Sequence, residues 1–516
     1  MLTTEELLAD LTEPQRQASM HVDGPLLIIA GAGSGKTRVL TRRVAHLISI
    51  GIPAPSILAI TFTNKAAGEM KERVGKLLGR PIRDIGRLDQ RLPMICTFHS
   101  LCMRILRHYG PRIGMPERFT IYDSSDQTKV VKDALKMLDI SSQNFTPGQV
   151  HSAISSLKNQ LVTPEDYARN ASAFYERNVA RIYGKYQQLL TANNAVDFDD
   201  LLMKTVHGLR DHADVLAELQ ERFQYILVDE YQDTNHAQYV LTHALALKHR
   251  NICVVGDPDQ SIYAWRGADI QNILDFETDY KNALVVRLEQ NYRSTKTILA
   301  LASGLIARNT RRKEKGLWTE NVDGQPAKLY ICQTEDDEAE TIVNELRQEH
   351  EQNGRAWSEM AVFYRMNSLS RVIEEKFMRS RIPYQIARGV EFYNRKEIKD
   401  VLSYLRVLVN PADEVALDRV INTPTRGISD ETVRKIQVHG VGRGLSLWQA
   451  LELVNEIEGL TTRAVKSVQL FVQMLTALQN KAHQVESASI ANGNEGMFAE
   501  SSAGTVQSIM HEVVER

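Results

Sequence analysis

The stretch Leu26-Leu27-Ile28-Ile29-Ala30-Gly31-Ala32-Gly33-Ser34-Gly35-Lys36-Thr37 decides the fold class. Its first five residues are apolar and run into turn-forming glycines, which reads as a strand buried on both faces. After Thr37, the residues Val39, Leu40, Val44, Leu47 and Ile48 recur at helical spacing and share a face. Strand, glycine-rich loop and helix in that order turn backbone N–H groups and a helix N-terminus toward phosphates. In such a loop Lys36 reaches the β/γ-phosphates and the Thr37 hydroxyl faces Mg²⁺. Ala30 stands where the strict pattern begins with glycine, so the match is to the relaxed form. A glycine turn of purely structural use would need neither the strand before it nor the helix after it.

Outward from this loop, short apolar runs alternate with longer helical patterns. The runs are Leu58 to Thr63, Met94 to Phe98, Tyr225 to Asp229, Ile252 to Gly256, Leu284 to Leu288, Lys328 to Cys332 and Ala361 to Tyr364. Such alternation predicts an α/β fold with parallel sheets flanked by helices. Between Tyr109 and Ala195 the strand signal fades, and Val179, Ile182, Tyr183, Tyr186 and Leu190 mark a helical insertion. A second helical stretch runs from about Asn394 to Arg516; in it Ser487 to Gly504 reads as a polar loop, before an amphipathic run through Val506, Ile509 and Val513.

The 516 residues carry 62 Lys+Arg against 64 Asp+Glu, a formal net charge of -2, with 43% hydrophobic residues. At roughly 100 to 200 residues per domain this length predicts about three or four structural units. Ordinary globular composition excludes wholesale disorder, and the near-zero charge excludes a global basic field, so a nucleic-acid partner has to be held by a local groove. No apolar run is long enough for a membrane span, and the acidic N-terminus does not resemble a signal peptide, which predicts a cytoplasmic protein with no membrane partner. Cys96, His99 and Cys102 have metal-ligand spacing but no second cluster, and they fall where a strand passes into a helix, so packing is the expected role.

The stretch Tyr225-Ile226-Leu227-Val228-Asp229-Glu230-Tyr231-Gln232-Asp233 carries an apolar strand that ends in adjacent acids. Phosphoryl transfer to water requires one carboxylate near the metal and a second near the attacking water; Asp229 is the candidate Mg²⁺ partner and Glu230 the candidate base. At the next strand end, Gly256-Asp257-Pro258-Asp259-Gln260-Ser261-Ile262-Tyr263-Ala264-Trp265-Arg266 supplies Gln260, able to bond both a γ-phosphate and a water. Tyr263, Trp265 and Arg266 offer flat faces to bases, and base–aromatic stacking requires no particular nucleic-acid sequence.

Together these motifs resemble the UvrD/Rep/PcrA-type superfamily-one DNA helicases along almost the whole chain. The resemblance implies two RecA-like P-loop domains, each with a mainly helical insertion, with ATP and Mg²⁺ in the cleft and single-stranded DNA across their tops. Within it Gln15 corresponds to the adenine-reading glutamine, and Ala30, Gly31, Ala32, Gly33, Ser34, Gly35, Lys36 and Thr37 form the phosphate loop, followed by Arg38. Ile60 to Ala67, with Phe62 and Asn64, and Thr97 to Ser100, with His99, correspond to DNA-contact motifs. Gln290-Asn291-Tyr292-Arg293-Ser294 resembles the motif whose Tyr packs near the base of ATP and whose Arg reaches the γ-phosphate from the second core.

The implied plan is a first core over 1–108 and 196–281 split by a helical insertion over 109–195, then a second core from 282–378 with its insertion over 379–516. No match to the family's two closing motifs is found, so the second core is expected to be incomplete and the chain to be a fragment or one part of a split helicase, with ATP binding surviving better than unwinding. Pro424-Thr425-Arg426-Gly427-Ile428-Ser429 departs from the family's usual Gly-Ile-Gly in its last residue. The implied activity is an ATP-dependent 3′ to 5′ helicase acting on single-stranded DNA and single/double-strand junctions, with accessory repair or replication proteins as possible partners. The rival is an ATP-regulated DNA-binding protein without effective turnover; Glu230 argues against it, since binding alone requires no base. A small-molecule kinase is a weaker rival, since it would not need the aromatic segment before Ala268.

Overall fold

The computed structural model describes residues 4–79, 82, 92–116, 118–309, 315–386, 395–491, 511 and 513. It divides into two units, one formed by Met1–Val322 with Asp400–Arg516 and the other by Asp323–Lys399.

The larger unit is built on a six-stranded parallel sheet. Its strands are β1 (Leu26–Ala30), β2 (Ile57–Thr61), β3 (Met94–Thr97), β6 (Tyr225–Val228), β7 (Asn251–Gly256) and β8 (Leu284–Leu288), in the order β3-β2-β6-β7-β1-β8. Alternate residues of one strand enter opposite layers: Leu27 and Ile29 join Leu58, Ile60, Ile226 and Val254 on one face, while Leu26, Ile28 and Ala30 join Ala59, Leu227 and Val255 on the other. Burial on both faces is why these strands are continuous apolar runs rather than alternating ones. The helix Lys36–Ser49 covers the second face with Val39, Leu40, Val44 and Leu47.

Strand Leu284–Leu288 lies at the edge of this sheet, next to β1. It opens the second core in the sequence plan, yet it pairs along β1 from Leu26↔Leu284 to Ala30↔Leu288 and belongs to the first sheet. Its apolar pattern identified a strand but carries no information about which edge it joins.

The helical insertion is held at its neck by two-residue strands, β4 (Thr120–Ile121) and β5 (Ala195–Val196), paired in parallel. Its predicted apolar face is buried in helix Phe174–Ala192, through Val179, Ile182, Tyr183, Tyr186 and Leu190. Beneath the neck Lys158 Nζ donates to Asp197 Oδ2 at 2.6 Å and the Tyr186 hydroxyl donates to the same oxygen at 2.8 Å, so these buried polar groups satisfy one another. The second helical body, from Lys396–Val409 through Thr462–Ala491, has its own core around Val407, Leu417, Ile436, Leu451 and Phe471. Ser429 caps the helix Asp430–Arg443, accepting from Thr432 N, which gives the serine at this departure from the family pattern a local structural use. The expected loop at Ser487 to Gly504 begins inside the helix Thr462–Ala491, and its remainder lies outside the described residues, as do Val506 and Ile509; Val513 packs against this core.

In the smaller unit the helices Glu335–Asn353 and Ser370–Arg379 pack through Val343 and Phe377. The predicted strands Lys328 to Cys332 and Ala361 to Tyr364 are not strands: the described residues there pair with no neighbour, and Leu329, Ile331 and Phe363 are 87%, 91% and 93% exposed. A strand requires a partner for its backbone N–H and C=O groups, and composition does not reveal whether one is present.

Candidate functional site

Because all six strands of the large sheet are parallel, their carboxyl ends lie along one edge, and the loops leaving that edge carry the candidate residues. This is where open α/β sheets bind ligands.

After β1, the loop folds tightly: Ser34 N and Oγ both donate to Gly31 O, at 3.3 and 2.7 Å. Gly33 and Gly35 take φ of +66° and +87°, left-handed values that side chains resist. A Cβ on Gly33 would lie 2.7 Å from Asn291 Nδ2 and 2.8 Å from Arg293 Cβ. The turn after β8 therefore lies directly on the phosphate loop. Asn291 Nδ2 donates to Ala32 O at 2.6 Å, and Tyr292 N donates to Gly33 O at 3.0 Å. Arg293 thus follows directly on a strand paired with β1, in the segment expected to open the second core. Its side chain and that of Tyr292 are exposed, and the Tyr292 hydroxyl donates to Gln290 Oε1 at 2.7 Å.

Gln15 is buried and uses both ends of its amide locally. Its Oε1 accepts from Thr12 N at 3.2 Å and its Nε2 donates to Ser34 O at 2.9 Å, bracing the phosphate loop. Arg38 pairs with Asp10 on the exposed side of the helix that begins at Lys36.

Lys36 Nζ donates to Glu230 Oε2 at 2.7 Å. The same oxygen accepts from Gln232 Nε2 at 3.0 Å, and Asp229 Oδ1 accepts from Glu230 N at 3.0 Å. Glu230 holds a left-handed φ of +50°, an arrangement of the kind that collects at functional sites. Burial first, and then the Glu230 charge, push the Asp229 carboxyl up to about 6, against the pull of Lys36. Asp233 is pushed up to about 6 by burial and by Glu230. The Thr37 hydroxyl and the Asp229 carboxylate are hard oxygen donors at the phosphate loop, and a buried carboxylate this reluctant to ionise is one that a divalent cation would suit.

On the adjoining loop after β7, Gln260 Nε2 donates to Asp257 Oδ2 at 2.6 Å, and Asp257 N donates to Gln232 Oε1 at 2.9 Å. Lys315 forms ion pairs with both Asp257 and Asp259.

Farther along the same loop Tyr263 stacks on Phe62, with centroids 5.0 Å apart at 29°, and lies 6.3 Å from Trp265. The Arg266 guanidinium sits 4.7 Å from the Trp265 ring centroid and 5.6 Å from that of Tyr263. Trp265 is 71% exposed, an orientation that suits a flat surface for bases and not a core cluster. Asn64 and His99 leave the neighbouring strands β2 and β3, and the Thr97 hydroxyl donates to Asn64 Oδ1 at 3.4 Å. Burial lowers the His99 imidazole, which packs edge-on against Phe198 at 5.9 Å. Cys102 is buried with its thiol pushed up to about 12, and the described residues hold no cluster of metal ligands around it.

Asn291, Gln232 and Lys315 join the site without having been singled out. Asn291 and Gln232 lie inside the quoted motifs, so their position was a signal. Lys315 sits at the end of the charged run Arg311-Arg312-Lys313-Glu314-Lys315, which reads as a solvated face.

Comparison with known proteins adds the family. Residues 11–281 match the UvrD/REP helicase N-terminal domain and residues 286–497 match the UvrD-like helicase C-terminal domain. The chain is 49% identical over 487 residues to an ATP-dependent DNA helicase PcrA of Staphylococcus epidermidis RP62A, covering 94% of this chain and 65% of that protein. It is also 49% identical over 473 residues to an ATP-dependent DNA helicase PcrA of Staphylococcus aureus Mu50, covering 92% of this chain and 63% of that one. No helix of the described residues is long and apolar enough to cross a membrane.

Proposed function

Because this chain belongs to the UvrD/REP helicase family, we propose that it couples ATP hydrolysis to 3′ to 5′ movement on single-stranded DNA and to unwinding at single/double-strand junctions. The reading is carried by one juxtaposition: Lys36, the Asp229–Glu230 pair and Gln260 leave the same sheet edge as the aromatic group Phe62, Tyr263 and Trp265.

Backbone N–H groups of the phosphate loop and the Lys36 ammonium hold the phosphates. Thr37 and Asp229 would hold Mg²⁺, which when bound neutralises charge on the phosphate oxygens. Glu230 gives up Lys36 to the nucleotide, and its freed carboxylate accepts a proton from the attacking water. Gln260, with one amide N–H anchored on Asp257 Oδ2, offers its second N–H to the γ-phosphate and its Oε1 to that water. Arg293, one turn from the phosphate loop, adds positive charge where negative charge develops. Tyr292 packs beside the adenine, and Gln15 reads it only by exchanging a bond it now makes to Ser34 O or Thr12 N.

Gln260 and Tyr263 lie on one loop after β7, three residues apart in sequence. A change in how Gln260 is held therefore moves the stacking platform, and Phe62, Asn64, His99, Tyr263, Trp265 and Arg266 alternately grip and release the strand. The proposed plan is one core over 1–108 and 196–281 split by the insertion 109–195, followed by a second core over 282–378 with its insertion over 379–516; the pairing of β8 with β1 supports packing the start of the second segment onto the first sheet. DNA in the cytoplasm, with repair or replication proteins as accessories, is the proposed setting. The test is phosphate release with and without an oligothymidylate, alongside strand separation on a 3′-tailed duplex. DNA-stimulated hydrolysis abolished by Lys36→Ala is the expected result, and hydrolysis indifferent to DNA would overturn the coupling.

A further inference from the structure

Lys315 is 2% exposed at its side chain, although it lies in a run of charged residues. Its ammonium ion-pairs Asp257 and lies 3.0 Å from Asp259 Oδ2, two carboxylates that are themselves almost fully buried. Buried charges of this kind add little stability over an apolar cluster of the same volume, and removing one partner leaves the others uncompensated. Stability alone is therefore a weak reason for the cluster, and its neighbours suggest a better one. Asp257 Oδ2 receives the Gln260 amide at 2.6 Å.

The segment carrying Lys315 is tied to the turn that carries Arg293. Gly316 N donates to Glu289 Oε1 at 2.9 Å, Asn291 N donates to Trp318 O at 2.8 Å, and the Thr319 hydroxyl donates to Asn291 O at 2.7 Å. Asn291 in turn donates to the phosphate loop at Ala32 O. One short segment thus binds the Arg293 turn by its backbone and the Thr319 hydroxyl, and the Gln260 loop by a charged side chain.

We propose that Lys315 is a positioning residue for ATP hydrolysis, fixing the Gln260 amide through Asp257 and tying it to the turn that bears Arg293. The proposal rests on the ATPase reading above and extends it to a residue outside the phosphate-contacting set.

The test compares wild type with Lys315→Met and with Lys315→Met/Asp259→Asn, the second removing the charge of one of the two carboxylates that lose the lysine in the first. Hydrolysis is measured per folded molecule, with kcat and the KM for ATP determined separately. Misplacement of Gln260 predicts a kcat lower by on the order of tenfold to a hundredfold with the KM for ATP little changed. A purely structural lysine would lower the folded fraction and leave kcat per folded molecule intact, which would overturn the proposal. Crystals of whichever variant folds give a readout that does not depend on turnover: Gln260 Nε2 out of hydrogen-bond reach of residue 257 supports the proposal, and an unmoved Gln260 overturns it. Absence of hydrolysis in the wild-type chain would count against the ATPase reading instead, and the position of Gln260 in the variant would still decide the role of Lys315.

Discussion

Lys36 Nζ lies 2.7 Å from Glu230 Oε2, so the residue that would grip phosphates is held by the residue that would activate water. Each neutralises the other while no nucleotide competes. Glu230→Gln removes the charge that holds Lys36 and the base at once. ATP affinity is expected to be kept or improved while hydrolysis falls by about 10²- to 10⁴-fold, the usual contribution of a general base. Fluorescent-nucleotide titration and phosphate release check the two halves. Loss of binding together with turnover would show that Glu230 shapes the pocket and does not act as the base.

Asp229 predicts a pH dependence of opposite sign to that of an ordinary salt-bridged carboxylate. Its carboxyl is raised to about 6 in the folded chain, against about 3.9 in an unfolded one. Between those values the folded state binds more protons, so stability without metal falls as pH rises from about 4 to about 6, and the penalty is fully present at pH 7. Asp229→Asn keeps the oxygen that accepts from Glu230 N and cannot ionise. The metal-free variant is expected to be more stable than wild type at pH 7 by on the order of 1 to 3 kcal/mol, with the gap closing toward pH 4. Urea denaturation at the two pH values measures it, and a variant weaker at pH 7 would refute the argument.

Gly33 makes a backbone prediction. Alanine there meets both a left-handed φ and Asn291 Nδ2 at 2.7 Å. Gly33→Ala should lower stability by about 1 to 2 kcal/mol and open the contact between the phosphate loop and the Arg293 turn. ATP binding should weaken more than this stability loss explains, by isothermal titration at a temperature where the variant is folded.

The phosphate loop and sheet were legible because local chemistry dictates them. Leu26 to Ala30 is apolar since both faces are covered, and Gly33 and Gly35 occupy conformations that other residues resist. The rest of the site depends on partners that the local sequence does not display. Leu284 to Leu288 is recognisable as a strand, but its pairing with β1 spans half of the chain. Lys328 to Cys332 carries a strand's composition without a neighbour to complete it. Lys315 resembles any solvated lysine until Asp257 and Asp259 are seen around it. Gln15 offers an amide in sequence, and the fold commits both ends of that amide to Thr12 N and Ser34 O.

Trp265 separates the nucleic-acid role from the nucleotide role. Its ring is 71% exposed, with one contact to the Arg266 guanidinium and one to Tyr263, whereas Tyr263 also stacks on Phe62. Trp265→Ala therefore removes a surface for a base and little packing, and stability should stay within about 0.5 kcal/mol of wild type. Affinity for single-stranded DNA should fall by about 1 to 3 kcal/mol, the worth of one stacked base. Hydrolysis without DNA should be unchanged, because none of Trp265's ring contacts involves Lys36, Glu230 or Gln260. Tyr263→Ala should lose more, since Phe62 loses its stacking partner and the loop bearing Gln260 loses an anchor, so both DNA affinity and stimulated turnover drop. Fluorescence anisotropy with a labelled oligothymidylate, paired with phosphate release over a DNA titration, distinguishes the two. Equal effects of the two substitutions on DNA affinity and on turnover would mean that the aromatic group does not form a platform linked to the ATP site.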